Sequence, residues 1–271
     1  MRRTRIQGLV RGGLFLLLCL PFQWALALVI ASSTLGVRNL QITPAAGSVV
    51  FFGPPEVSAI VSSAFNSLGE TDSNGAFGTG TDVSADATVS FATGHADASA
   101  SAGTLNVSSA VHLGGSSNAA GVSFPGSYAS QSYLFGFTGV SGVVDVSFSM
   151  DLSGMLQAFA NSQGSLDTDF DASAELDGMN ILFRSAALSG GPNFPDATQL
   201  FAQTLSATIP LDSALSYSLI VTAHVEAFGS NGVPEPGSLV LALLALGLLP
   251  VCSPRRGRPP RKRSPPGPCC A

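Results

Sequence analysis

Between Leu28 and Pro236 the chain has no cysteine, and the only basic residues there are Arg38 and Arg184. The first absence excludes a disulfide, a thiolate nucleophile and a cysteine-based metal site from that interval, so whatever folds there relies on packing and hydrogen bonds alone. The second leaves 17 acidic residues against two basic ones, a formal charge of −15 that the whole-chain value of −5 conceals. So acidic a segment repels phosphate backbones, which excludes nucleic acid as its partner. Catalytic signatures are missing as well. No HExxH or HxH spacing joins His95, His112 and His224, no GxSxG turn surrounds a serine, and the glycine-rich GAFGTGTD of residues 75–82 lacks the Lys-Ser/Thr of a phosphate-cradling loop.

The basic residues that the middle lacks stand at the two ends. MRRTRIQGLVRGG precedes the apolar LFLLLCLPFQWALALVI, with Ala25 and Ala27 as small residues at a cleavage position. This pattern predicts a secretory signal peptide over residues 1–27, with an uncleaved anchor as the competing reading; either one exports the middle. Cys19 is part of the apolar stretch. Near the other end, Pro234, Glu235 and Pro236 precede an apolar run from Ser238 to Cys252, and Arg255, Arg256 and Arg258 follow it. The prolines keep their neighbours extended and delay helix formation to about Gly237. A helix over residues 237–253 spans about 25 Å, short of a hydrocarbon core of roughly 30 Å, so its position depends on the arginines, which stay on the cytoplasmic side. A basic, proline-rich tail fills residues 254–271, and Cys269 and Cys270 end it without a prenylation box.

The order Pro-Glu-Pro, apolar helix, arginine cluster resembles the C-terminal sorting signal of PEP-CTERM proteins, over residues 233–258. The resemblance implies export across the inner membrane of a bacterium, often one that makes exopolysaccharide. It implies transient or permanent anchoring by the short helix, and then residence at the cell surface or outside the cell. The implied partner is an exosortase, an integral-membrane transpeptidase that reads the signal and removes it. The implied sorting residues are Pro234, Glu235, Pro236, Arg255, Arg256 and Arg258.

The middle alternates. In TDVSADATVSF, Val83, Ala85, Ala87, Val89 and Phe91 oppose Asp82, Ser84, Asp86, Thr88 and Ser90, the period of a half-solvated strand. Val144, Val146, Phe148 and Met150 form a second stripe, and Leu215, Tyr217, Leu219, Val221, Ala223, Val225 and Ala227 a third. Further strands are expected at 48–52, 104–112, 132–138, 166–176, 179–184 and 201–209, separated by Gly, Pro, Asn and Asp clusters. The fold class is therefore all-β: an antiparallel β-sandwich of jelly-roll or immunoglobulin-like kind over residues 37–228. A short linker at 28–36 precedes it and a Pro-Glu-Pro linker at 229–236 follows. Ile60, Val61, Ala64 and Leu68 in SAIVSSAFNSLG also fit one helix face. Because the stripes are rich in alanine, the core has to draw its apolar area from Phe91, Phe124, Tyr133, Phe135, Phe137, Phe148, Phe170, Phe183, Phe201 and Tyr217.

One acidic cluster suggests a site. Asp167, Asp169 and Asp171 share a strand face, and carboxylates without nearby cations suit a hard ion such as Ca²⁺. Ala172 and Gly178 exclude an EF-hand, and a solvated face is the competing reading. Asp145 and Asp151 could be cast as paired glycosidase carboxylates, but nothing in their flanking sequence raises that reading above chance. The leading function is a non-enzymatic surface or matrix protein associated with exopolysaccharide or biofilm. A carbohydrate-binding module is the alternative, although Trp24, the only tryptophan, lies in the signal region where it cannot serve as a sugar platform. A secreted hydrolase comes third, without a motif.

Overall fold

Alternation of apolar with hydroxyl-bearing or acidic side chains satisfies the strand period of two, and nearly the whole described chain is strand. A computed structural model describes residues 29–65, 69–100, 103–113, 122–123, 125–160, 164–191 and 196–231. Its strands are β1 (Val29–Pro44), β2 (Ser48–Phe51), β3 (Glu56–Phe65), β4 (Thr71–Thr79), β5 (Val83–Val89), β6 (Ala92–Ser99), β7 (Thr104–Leu113), β8 (Val122–Ser123), β9 (Gly126–Thr138), β10 (Val143–Ala160), β11 (Gly164–Leu176), β12 (Met179–Gly190), β13 (Ala197–Asp212) and β14 (Tyr217–Asn231). Sheet A runs β13-β10-β1-β7-β6-β5. Sheet B runs β12-β11-β14-β9-β3-β4, with β2 beside β9 and β8 beside β14. Every pairing is antiparallel. The two sheets bury their inner faces against each other, and among the described residues no helix is long and apolar enough to cross a membrane.

The sandwich is thick at one side and thin at the other. In the thick part Phe135 is fully buried, with Phe137, Phe148 and Tyr217 around it at ring-centroid distances of 5.8, 6.3 and 5.8 Å. Val144, Val146, Phe148, Leu219 and Val221 are buried as their stripes require. Phe201 lies across Gly154 of β10 and stacks on Phe170 of the other sheet at 4.1 Å; a side chain on Gly154 would collide with that ring and with the Thr34 carbonyl. In the thin part the facing residues are Ala85, Ala87, Ala96 and Ala98 against Val57, Ala59, Val61 and Ala129. There Gly94 of β6 sits so close to β3 and β9 that a side chain on it would strike Val61 Cγ1 and come within 2.9 Å of Ser127 Oγ.

Small side chains leave room for hydrogen bonds between the sheets. Buried Ser127 of β9 donates to the Ser108 carbonyl at 2.7 Å and accepts from the His95 N–H at 3.1 Å and the Ser109 hydroxyl at 3.0 Å. Ser33 donates to the Asp169 carbonyl at 2.8 Å, and Gln131 to the Ser99 carbonyl at 3.2 Å. Each bond satisfies a polar group in an apolar setting, where an unmade one costs about 1–3 kcal/mol.

Several expectations need correction. Residues 29–36 are the first half of β1 and not a linker: Val29, Ala31, Ser33, Leu35 and Val37 are its inward stripe, disguised by a serine. The sandwich accordingly runs from Val29 to Asn231. The stretch 58–69, which fits a strand plus turn as well as a helix face, is largely β3, between β4 and β9, because Val57, Ala59 and Val61 alternate inward and β-branched residues fit a pleated surface. Phe91 does not continue its stripe; it takes φ 77° in the turn from β5 to β6. Leu215 lies in the turn before β14 and Phe183 on the outer side of β12, both more than half exposed. Phe124 lies outside the described residues. So do the signal peptide at 1–27, the helix at 237–253, the tail at 254–271, and the sorting residues Pro234, Glu235, Pro236, Arg255, Arg256 and Arg258.

Candidate functional site

With the inner faces used for packing, chemistry is left to the two outer faces. On sheet A, the hairpin of β5 and β6 places Asp86 opposite His95, and His95 pairs in turn with Ser108 of β7. His95 Nδ1 lies 2.6 Å from Asp86 Oδ1 and Nε2 lies 2.7 Å from Asp97 Oδ2. An imidazolium donates both bonds. Partial burial works to lower the His95 pKa, but the hydrogen bonds and charges of Asp86 and Asp97 prevail and raise it above its ordinary 6.5.

Beside this trio the face is dented. Gly36 of β1 lies opposite both Asn106 and Ser153, whose side chains close over it, and with them it lines a shallow depression of about 330 Å³. Thr34, Arg38, His95, Asn106, Ser108 and Ser153 supply its polar lining. Arg38 makes no salt bridge among the described residues. Nearby, Asn39, at φ 54° in the bulge of β1, donates to Asp151 at 2.8 Å and Thr204 donates to it at 2.6 Å. These two bonds hold the Asp151 carboxyl below its ordinary pKa. Asp145 is six residues away on the same strand, about 20 Å at strand rise, too far for a glycosidase couple.

On sheet B, Asp167, Asp169 and Asp171 lie in line on the outer face of β11, as their spacing predicts. Across the ladder Asp169 faces Glu226 and Asp171 faces His224 of β14. His224 Nε2 is 3.4 Å from Glu226 Oε1, and Nδ1 is 3.9 Å from Asp171 Oδ2. Burial first, then the charges of Glu226 and Asp171, raise the Asp169 pKa against the opposing pull of His224. Carboxylates two residues apart on a strand stand nearly 7 Å apart, and among the described residues no three His, Cys, Asp or Glu side chains converge into a metal site. His95 and His224 lie on opposite outer faces, and Tyr133, whose burial pushes its phenol up to about 12, belongs to the core.

No protein-family model, no curated protein and no solved structure matches the chain. Two features of the sheet A face escaped the sequence. The Asp86–His95–Asp97 trio follows from register once the turn is placed at Ser90 and Phe91, because Val89 opposite Ala92 sets Asp86 opposite His95. The depression at Gly36 has no local signal, since its walls come from β6, β7 and β10, brought together only by pairing.

Proposed function

We propose that the chain is a non-enzymatic protein of the cell surface or extracellular matrix, exported by its N-terminal segment and sorted through its C-terminal Pro-Glu-Pro signal by an exosortase-like membrane transpeptidase. The observation that carries this reading is the order Pro234-Glu235-Pro236, apolar run, Arg255-Arg256-Arg258, beginning three residues after the last strand ends at Asn231. Cutting the signal removes none of the described strands, the last of which ends at Asn231. The test is mass spectrometry of the protein's C-terminus in membrane and extracellular fractions of the native host. A shortened chain, lost on Glu235→Ala, is the expected outcome; full-length chain in both fractions, unaffected by that change, refutes the reading.

A second reading, a carbohydrate-binding module within an exopolysaccharide matrix, draws on the sheet A depression. Its hydroxyl, amide and guanidinium groups on a fixed sheet suit a polyhydroxylated ligand better than an apolar one. The finer architecture, jelly-roll or immunoglobulin-like, belongs to the proposal too: the chain crosses repeatedly between the sheets, as at β4–β5, β9–β10 and β12–β13, in the manner of either kind. Calcium at Asp167, Asp169 and Asp171 is a further part of it, resting on the outer face that the three share, with Glu226 opposite Asp169.

A further inference from the structure

Among the described residues the sheet edges are β5 and β13 of sheet A and β4 and β12 of sheet B, and β13 differs from β4 and β5. On one side of the sandwich, β4 and β5 are tied together: Asp72 accepts from the Thr88 N–H at 2.8 Å, and Glu70 accepts from the Ser90 N–H at 2.9 Å. Those carboxylates cover edge amides and repel an incoming strand, as exposed edges generally require. On the other side lies β13, the outermost strand of sheet A, paired without register shift to β10 from Ala197 to Asp212. From Ala197 to Ile209 it has no charged residue, proline or glycine.

The direction of its free backbone groups follows from the ladder. The Ser213 N–H donates to the Gly142 carbonyl at 2.9 Å, so odd-numbered residues of β13 direct their backbone groups to β10. Even-numbered residues, Thr198, Leu200, Ala202, Thr204, Ser206 and Thr208, therefore direct theirs to the open side. Pro210 fits this phase, since its missing N–H lies on the open edge. Side chains show the same incompleteness. Phe201, Leu205, Ala207 and Ile209 point into the sandwich yet stay only partly buried, and Leu200 is 74% exposed.

We infer that β13 is a self-association edge, which pairs antiparallel with β13 of a second copy of this chain about a two-fold axis at Gln203. In that register Thr198 lies opposite Thr208 of the second copy, Leu200 opposite Ser206 and Ala202 opposite Thr204, so about a dozen backbone hydrogen bonds form with no charge in the seam. On the inner side Phe201 comes beside Leu205 of the second copy, covering the apolar strip that one copy leaves half-buried. A second copy suits this edge because the domain is otherwise strongly acidic: most other approaches bring like charges together, whereas this stretch meets its own uncharged image. The two copies join their sheets A into one.

The test uses the full chain in a mild detergent, with mass measured by light scattering and by ultracentrifugation. The chain should be dimeric at tens of micromolar. Ala202→Pro removes an open-edge N–H and leaves the ladder to β10 intact, as Pro210 does in the same strand, so it should give a monomer that keeps the far-UV spectrum of the parent. Gln203→Cys sits in a non-hydrogen-bonded pair on the axis, where Cα atoms about 4.5 Å apart suit a disulfide. It should form a covalent dimer on oxidation well beyond that of the parent, whereas Thr208→Cys, opposite Thr198, should not. A monomeric parent, a dimer that survives Ala202→Pro, or equal cross-linking from positions 203 and 208 overturns the inference, whatever the fate of the sorting signal.

Discussion

Replacing Gly94 with alanine tests the claim that the two sheets touch backbone to side chain at the thin part of the sandwich. The added methyl has nowhere to go: Val61 is fully buried and its β-branched side chain is stiff, while Ser127 Oγ is fixed by bonds to Ser108, Ser109 and the His95 N–H. Overpacking of this kind costs about 1–3 kcal/mol, and the gain from a less flexible unfolded chain returns roughly 0.4–1 kcal/mol, leaving a net loss of about 1–2 kcal/mol. For a domain of this size that is a fall in melting temperature of roughly 2–8 °C. Val61→Ala alone removes two buried methyl groups and should cost about 2–3 kcal/mol. Combined, the two changes should compensate, because the methyl added at position 94 enters the volume that Val61 vacates. The double variant is expected to be no less stable than Val61→Ala by itself, a favourable coupling of about 1–2 kcal/mol. Urea unfolding of parent, both singles and the double closes the cycle. Additivity within about 0.5 kcal/mol would show that Gly94 and Val61 do not compete for one space, and the account of the thin core would fail.

Two further predictions concern charge. His95 has a folded-state pKa above 6.5, so its contribution to stability is fully present below pH 6.5 and is lost as pH rises through the raised value; being well exposed, it is worth no more than about 1 kcal/mol. Chemical unfolding across pH 5.5 to 8.5 should show this slope, and His95→Gln should remove it; an unchanged slope in the variant contradicts the trio. For the acidic row, millimolar calcium should raise the melting temperature of the parent, and replacing Asp167, Asp169 and Asp171 together with asparagine should abolish the rise, since a ligand bound only to the folded state stabilises by mass action. No rise in the parent means a solvated face.

How much of this was legible in the sequence depends on how far each signal reaches along the chain. Stripes of bulky residues, such as Val144-Val146-Phe148 and Leu219-Val221, marked their strands directly, because burial on one face of a strand leaves a period-two trace wherever large side chains alternate with polar ones. Where the inward residue is serine, alanine or glycine the trace fades, and β1, β3 and β6 were obscured for that reason: Ser33, Ala59 and Gly94 are inward, but none looks apolar and bulky. The line of Asp167, Asp169 and Asp171 was legible for the same local reason, since three residues on one strand share a face regardless of what lies beside them.

By itself, then, the sequence determined the all-β class, the acidic outer faces, the position of most strands, and the composition of the two ends, each being a property of neighbours within about ten residues. Tertiary structure alone decided which strands lie side by side. Pairing of β1 with β7 and β10 brought together the walls of the depression beside Gly36, pairing of β5 with β6 joined His95 to Asp86, and the approach of the two sheets left no room for a side chain at Gly94. It also left β13 at the margin of sheet A, since whether an uncharged strand is interior or exposed is set by its neighbours in space, and those come from residues far away in the chain.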